Sequence, residues 1–222
     1  CRTRVYENVA GEKTSLGRGN LSFTTMNMPR LAIEARIKAE SMEESGKKEA
    51  IERTAKELFI QSVHQTAELI AEQLYSRYQY QRTALARQFP FMMGNDVWKG
   101  GGKLAPNDQV GDVLRQGTLG IGFIGGHNAM MALYGESHGH SRKAWDTLYE
   151  AVLEMNKVAD DYKAKYQLNF SVLATPAEGL SGRFTRMDRR KYGTIPGVTD
   201  NDYYVNSFHV DVKEPISIMD KV

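Results

Sequence analysis

TLGIGFIGGHNAMMALYG, residues 118–135, decides the fold. Its first half is a short apolar run with little polar interruption, the pattern of a strand buried on both faces. Gly125 and Gly126 end that run and turn the chain into a helix over HNAMMALYG. Toward the C-terminus, Trp145, Leu148, Val152, Met155 and Ala159 recur on one face of a second helix, roughly Ser141 to Tyr166. NFSVLATP at 169–176 then reads as the next strand. Strand, helix, strand predicts an α/β chain built on a parallel sheet.

Toward the N-terminus, LSFTTMNM at 21–28 carries Thr and Phe at strand spacing and predicts another strand. Pro29 opens a helix over RLAIEARIKAE, with Asn27 placed to cap it. After a polar break at 44–47, Ile51, Ala55, Leu58, Phe59, Val63, Ile70 and Leu74 mark a long helix with one buried face. FPFMMGNDVWKGGGKL, 89–104, sets a Pro and a Gly triplet between these segments and reads as a loop. No internal repeat or low-complexity tract interrupts the chain.

Composition bounds the possible roles. Hydrophobic residues make up 41% and charged residues 25% of 222, enough apolar material for a sizeable core. The 29 basic and 27 acidic residues leave a formal charge of +2, too weak a field to imply a nucleic-acid or anionic-membrane partner. A single Cys excludes an internal disulfide, no apolar run approaches the ~18 residues of a membrane span, and no signal-peptide pattern leads the chain. A reducing cytoplasm is the expected location. Because the chain opens on Cys1 with no initiator Met, it reads as a piece of a longer protein, released by processing or by protein splicing.

Few segments carry chemistry. Thr175 and Pro176 follow a predicted strand and would cap a helix, so that the N–H groups of Ala177, Glu178 and Gly179, with the Thr175 hydroxyl, could hold a phosphate. The plainer reading is an ordinary helix cap. Arg183, Arg186, Arg189, Arg190 and Lys191 recur as a solvated helix face does. His138 and His140 are two ligands without a third, which predicts a loop and no metal site. Met26, Met28, Met92, Met93, Met130 and Met131 sit in apolar surroundings as core fillers. Gly120 to Gly125 spell GxGxxG, but the first two glycines fall inside the strand and no acidic residue ends a second strand about 20 residues on, as a dinucleotide loop needs. Arg2 and Arg4 flank Cys1 and favour its thiolate, the mark of a reactive cysteine. A Gly-Arg-Gly-Asn turn at 17–20 offers amide donors downstream.

Three blocks together carry a resemblance: CRTRV with GRGNLSFTTMNMPRLAIEA, then LGIGFIGG, then ATPAEGLSGRFTRMDRRKYG running into IPGVTDNDYYVNSFHV. They closely resemble the anaerobic, class III ribonucleoside-triphosphate reductases, which are glycyl radical enzymes. The resemblance implies the second half of a ten-stranded α/β barrel made of two five-stranded parallel halves, with a finger loop at 1–20. Cys1 matches the cysteine whose thiyl radical abstracts the 3′ hydrogen of a ribonucleotide. Asn20 matches an Asn that helps bind substrate or formate. Thr175, Pro176, Ala177, Glu178 and Gly179 match the substrate-phosphate turn. The first barrel half, the nucleotide-sensing domain, the C-terminal glycyl radical loop and the zinc-binding cysteines of the family are expected outside this chain.

Partners implied by the resemblance are a ribonucleoside triphosphate, nucleotide effectors including ATP, a radical-SAM activating enzyme and a second copy of the full protein, with 2′-deoxyribonucleoside triphosphates for DNA synthesis as product. Formate or a dithiol protein would supply electrons; Gly19 stands before Asn20 where some formate users resemble GRNN, so the donor stays open. Two rival readings are another glycyl radical enzyme, such as a formate acetyltransferase or dehydratase relative, and a catalytically silent piece that completes a split barrel.

Overall fold

A computed structural model describes residues 8–43, 46–217 and 219. β1 (Asn20–Asn27) ends on the residue whose side chain accepts the N–H of Arg30 at 3.3 Å, and this cap, with Pro29 in the first turn, starts α1 (Met28–Met42). α2 (Lys48–Gln81) is one helix of 34 residues. Its buried stripe is Glu52, Ala55, Phe59, Val63, Ala67, Ile70, Ala71, Leu74 and Tyr78, while Ile51 and Leu58 flank it half-buried. Glu52 is the polar member, and Lys143 Nζ donates to its Oε2 at 2.7 Å.

The segment expected to be a loop holds a short helix, because Pro90 suits a first helical turn: α3 (Pro90–Gly94) precedes a 3₁₀ turn at Gly101–Lys103, and α4 (Gly111–Leu114) follows. β2 (Thr118–Ile124) is buried at every residue. α5 (Gly126–Tyr134) lies between left-handed glycines, Gly125 at φ 80° and Gly135 at φ 70°. Gly125 also has no room for a side chain, since a Cβ there would lie 2.3 Å from Pro29 Cγ. α6 (Arg142–Tyr166), β3 (Asn169–Ala174) and α7 (Glu178–Tyr192) complete the order.

On α6 the buried stripe is Ala144, Leu148, Ala151, Met155, Val158 and Ala159. Trp145, expected on that face, is instead 42% exposed and stacks on Tyr149 with ring centroids 5.1 Å apart. The strands form a small parallel sheet in the order β1-β2-β3, so the strand buried at every residue lies in the middle.

The described residues divide into two compact units. The first comprises 8–24, 67–121 and 156–173. Here Gly120 leaves β2 bare on one face: a Cβ would meet Phe23 Cβ at 3.1 Å and Leu173 Cβ at 3.5 Å, so β1 and β3 side chains close over the middle strand. Tyr75 stacks on Tyr166 at 3.7 Å, and Tyr162 meets Phe170 edge-on at 5.7 Å. The second unit comprises 25–43, 46–66, 122–155, 174–217 and 219, and contains the C-terminal residues of all three strands. There α1 packs on α5, and Ile33, Ile124, Ala177, Val198 and Tyr204 form a core flanked by Leu180, Phe184 and Ile195. Among the described residues no helix is long and apolar enough to cross a membrane.

Candidate functional site

In a parallel sheet, ligands are met at the C-terminal ends of the strands, where helix N-termini point their free N–H groups. β3 leaves the sheet at Ala174, and Thr175 is buried at 3% exposure. Its Oγ1 lies 3.0 Å from Thr25 Oγ1, and its main-chain carbonyl accepts the Ser207 hydroxyl at 3.2 Å. Thr175 therefore does not cap the helix. α7 begins at Glu178 with Ala177 in the capping position and no side-chain cap, because the residue before Pro176 is held away from helical conformation and its hydroxyl is taken by Thr25. Glu178 N–H turns back to the Pro176 carbonyl at 3.0 Å. Among the described residues the N–H groups of Ala177 and Gly179 meet no acceptor. Gly179 is exposed, with nothing within 4 Å of the place a Cβ would occupy.

The end of β2 is tied to residues 204–207. Gly125 N–H donates to the Val205 carbonyl at 2.9 Å and Gly126 N–H to that of Ser207 at 2.8 Å. Asn128, fully buried on α5, accepts Val205 N–H at 2.8 Å and donates to the Gly197 carbonyl at 3.1 Å. Tyr204 donates its hydroxyl to Asp188 Oδ2 at 2.9 Å. Asp188 is itself fully buried and also accepts from Asn27 Nδ2 at 2.8 Å and Arg30 Nε at 2.7 Å. Burial, with the Asp188 charge beside it, pushes the Tyr204 hydroxyl far up, so it remains a donor. Asp188, Tyr204, Asn128 and Ser207 all escape the sequence reading. One signal was available: Ser181, Thr185 and Asp188, the buried residues of α7, follow at i, i+4 and i+7.

The other sequence candidates fall elsewhere. Asn20 is exposed and is the first residue of β1, in the first unit, rather than part of a turn. The turn is made upstream by Gly17 at φ 70°, whose carbonyl accepts Lys99 N–H at 2.7 Å, and Arg18 Nε donates to the Gln116 carbonyl at 2.9 Å. Cys1, with Arg2 and Arg4, lies outside the described residues. Of the α7 cations, Arg183, Arg186, Arg190 and Lys191 are exposed, but Arg189 is not a solvated side chain, since it donates to the carbonyls of Thr199 and Asn201. Gly120 and Gly122 lie inside β2, in keeping with a strand rather than a dinucleotide loop.

His138 is buried, with Nε2 2.8 Å from the Phe208 carbonyl, and His140 Nε2 is 3.0 Å from Glu214. Among the described residues no group of three or more His, Cys, Asp or Glu is placed to hold a metal ion. A cavity of about 640 Å³ in the first unit, lined by Leu21, Tyr80, Phe89, Met92, Trp98 and Leu114 among others, has no carboxylate, His or Cys in its wall.

A family model described as anaerobic ribonucleoside-triphosphate reductase matches residues 1–222. Anaerobic ribonucleoside-triphosphate reductases from Salmonella typhimurium and Escherichia coli are each 30% identical over 227 residues, covering 100% of this chain and 29% of the relative. The enterobacteria phage T4 protein of that name is 28% identical over 226 residues, covering 100% of this chain and 33% of its own length. The chain thus spans about a third of these relatives. Among solved structures, the Thermotoga maritima anaerobic ribonucleotide reductase with citrate in its active site superposes with a TM-score of 0.66 at 14% identity, over 94% of this chain and 33% of that one. The same enzyme in complex with dATP and CTP gives 0.64 at 15% identity, over 96% and 30%. At such identities the structures speak for the fold.

Proposed function

The chain belongs to the anaerobic ribonucleoside-triphosphate reductase family, and from that premise we propose that it is the substrate-binding and hydrogen-abstracting part of a catalytic barrel that reduces ribonucleoside triphosphates to their 2′-deoxy forms. The observation that carries this reading is the family match over the whole of residues 1–222, supported by the likeness in fold. We take the three-stranded parallel sheet to belong to a half of a ten-stranded barrel, residues 1–222 being a partial catalytic barrel domain with its finger loop at 1–20.

In this reading the turn from Thr175 to Gly179 takes the triphosphate. Unmet N–H groups at Ala177 and Gly179, open space at Gly179 and a position at the C-terminal end of β3 all favour an anion there. Asn20 contacts polar groups of the substrate or of formate. Cys1, as a thiyl radical, removes the 3′ hydrogen: the C3′–H bond breaks homolytically and an S–H bond forms. A sulfur radical suits this step because its bond to hydrogen is close in strength to the one broken, which no acid or base supplies. Residues around it orient the sugar and exclude water.

A glycyl radical on another part of the protein supplies the oxidising equivalent to Cys1. Zinc, an activating radical-SAM enzyme, nucleotide effectors, a formate or dithiol donor, a homodimeric assembly and a cytoplasmic setting complete the proposal by family likeness. The test is anaerobic turnover by the complete protein with its activating enzyme and either reductant. Deoxynucleotide product supports the reading, and ribonucleotide recovered unchanged under both reductants contradicts it.

A further inference from the structure

We propose that Ser207 is a positioning residue for substrate, setting the turn at Thr175–Gly179 by gripping the Thr175 carbonyl; this rests on the reading of that turn as the phosphate site. Three non-glycine residues among those described have left-handed backbone, Asp96, Gln167 and Ser207, and Ser207 is the buried one, at φ 50° and 3% exposure. Glycine meets such a backbone without strain, so a serine there needs a use for its hydroxyl. That hydroxyl donates to the Thr175 carbonyl at 3.2 Å. The carbonyl belongs to the peptide leading into Pro176, so holding it fixes the direction in which Pro176, Ala177 and the unmet N–H groups leave the strand.

Ser207 can act as a fixed point because its own backbone is fixed. Its carbonyl accepts Gly126 N–H at 2.8 Å, and two residues earlier Val205 is held on both sides, by Gly125 N–H at 2.9 Å and by Asn128 Oδ1 at 2.8 Å. The end of β2 thereby sets the end of β3. The Thr25 hydroxyl, 3.0 Å from that of Thr175, is the second grip on the same residue and leaves its carbonyl to Ser207. Neither Ser207 nor Thr25 needs to touch substrate for this role.

The experiment uses the complete reductase, with Ser207→Gly and Ser207→Ala, and measures affinity for CTP and, by competition, for cytidine. Both variants lose the hydroxyl, and glycine also relieves the backbone strain. Expected is a loss of about fivefold in CTP affinity in both, the size of one net hydrogen bond, with cytidine affinity unchanged. The melting temperature should hold in Ser207→Gly even if it drops in Ser207→Ala, and kcat should change less than KM. Unchanged CTP affinity in both variants, or an equal loss for CTP and cytidine, overturns the proposal. Gly179→Asp separates the two levels of the reading, since its carboxylate enters open space beside the unmet N–H groups. If Gly179→Asp weakens CTP and the Ser207 variants do not, the positioning role alone is wrong; if Gly179→Asp leaves CTP unaffected, the phosphate turn itself is wrong and the role of Ser207 falls with it.

Discussion

Asp188 in the second unit and Glu72 in the first each gather donors from distant parts of the chain, but in opposite surroundings. Asp188 is 0% exposed and takes Asn27, Arg30 and Tyr204. The Glu72 side chain is 47% exposed and takes Tyr162 at 2.9 Å, Lys165 at 3.1 Å and Tyr166 at 3.3 Å. Their bonding patterns are alike, so the difference lies in what replaces a lost partner. Water can replace any donor to Glu72, whereas nothing replaces one to Asp188. The buried carboxylate therefore fixes the start of α1, the middle of α7 and residue 204 together, next to the strand-end turn, while the exposed one adds little to its surface.

Removing the buried carboxylate should have the largest effect. Asp188→Ala leaves the Arg30 charge, the buried Tyr204 hydroxyl and the half-buried Asn27 amide without an acceptor, and an expected loss of about 3–5 kcal/mol would appear in denaturant unfolding of the complete protein. A loss below 1 kcal/mol would place Asp188 on a par with Glu72 and break the contrast. Tyr204→Phe removes one donor and leaves Asp188 paired with Arg30 and Asn27, so about 1–2 kcal/mol is expected by the same measurement.

Protonation probes the second unit in another way. Burial lowers the pKa of His127 and His138 below the ordinary value of 6.5. In the unfolded chain both take up a proton near pH 6.5, while in the folded protein they stay neutral to lower pH, so the unfolded state binds more protons and stability falls as pH drops below 6.5. The slope contributed is at most about 1.4 kcal/mol per pH unit for each histidine. His127→Gln should flatten the curve below pH 6.5, and an unaltered slope would show that His127 does not contribute to it. The smallest effect is expected of Glu72→Gln, within about 0.5 kcal/mol in the same unfolding assay.

Where a local pattern and a tertiary role agreed, the sequence was enough. The apolar run of β2, the glycines that turn it into α5, and Asn27 capping α1 all depend on neighbours within a few residues. Trp145 misled because a large apolar ring dominates a hydropathy period, whereas the buried face of α6 is phased on Ala144 and Ala151, whose small side chains give a weak signal. Thr175 satisfied every local rule for a helix cap, yet its hydroxyl meets Thr25, which is 150 residues away in the chain. Asp188 and Ser207 stand in polar stretches and Asn128 in a mostly apolar helix, and only their partners from distant segments make them structural. Asn20 entered by family likeness, whereas the turn from Thr175 to Gly179 was legible from its Thr-Pro start as well, and of its three expected donors the structure turns Glu178 N–H back on Pro176 and leaves those of Ala177 and Gly179 open.

The most direct measurement is deoxynucleotide formed anaerobically by the complete, activated protein with Cys1 and with Cys1→Ser, alongside CTP binding by both. Serine should abolish product and leave CTP affinity within about twofold, since the thiol acts on the sugar and the triphosphate is held elsewhere. Full turnover with serine would contradict that role of the thiol.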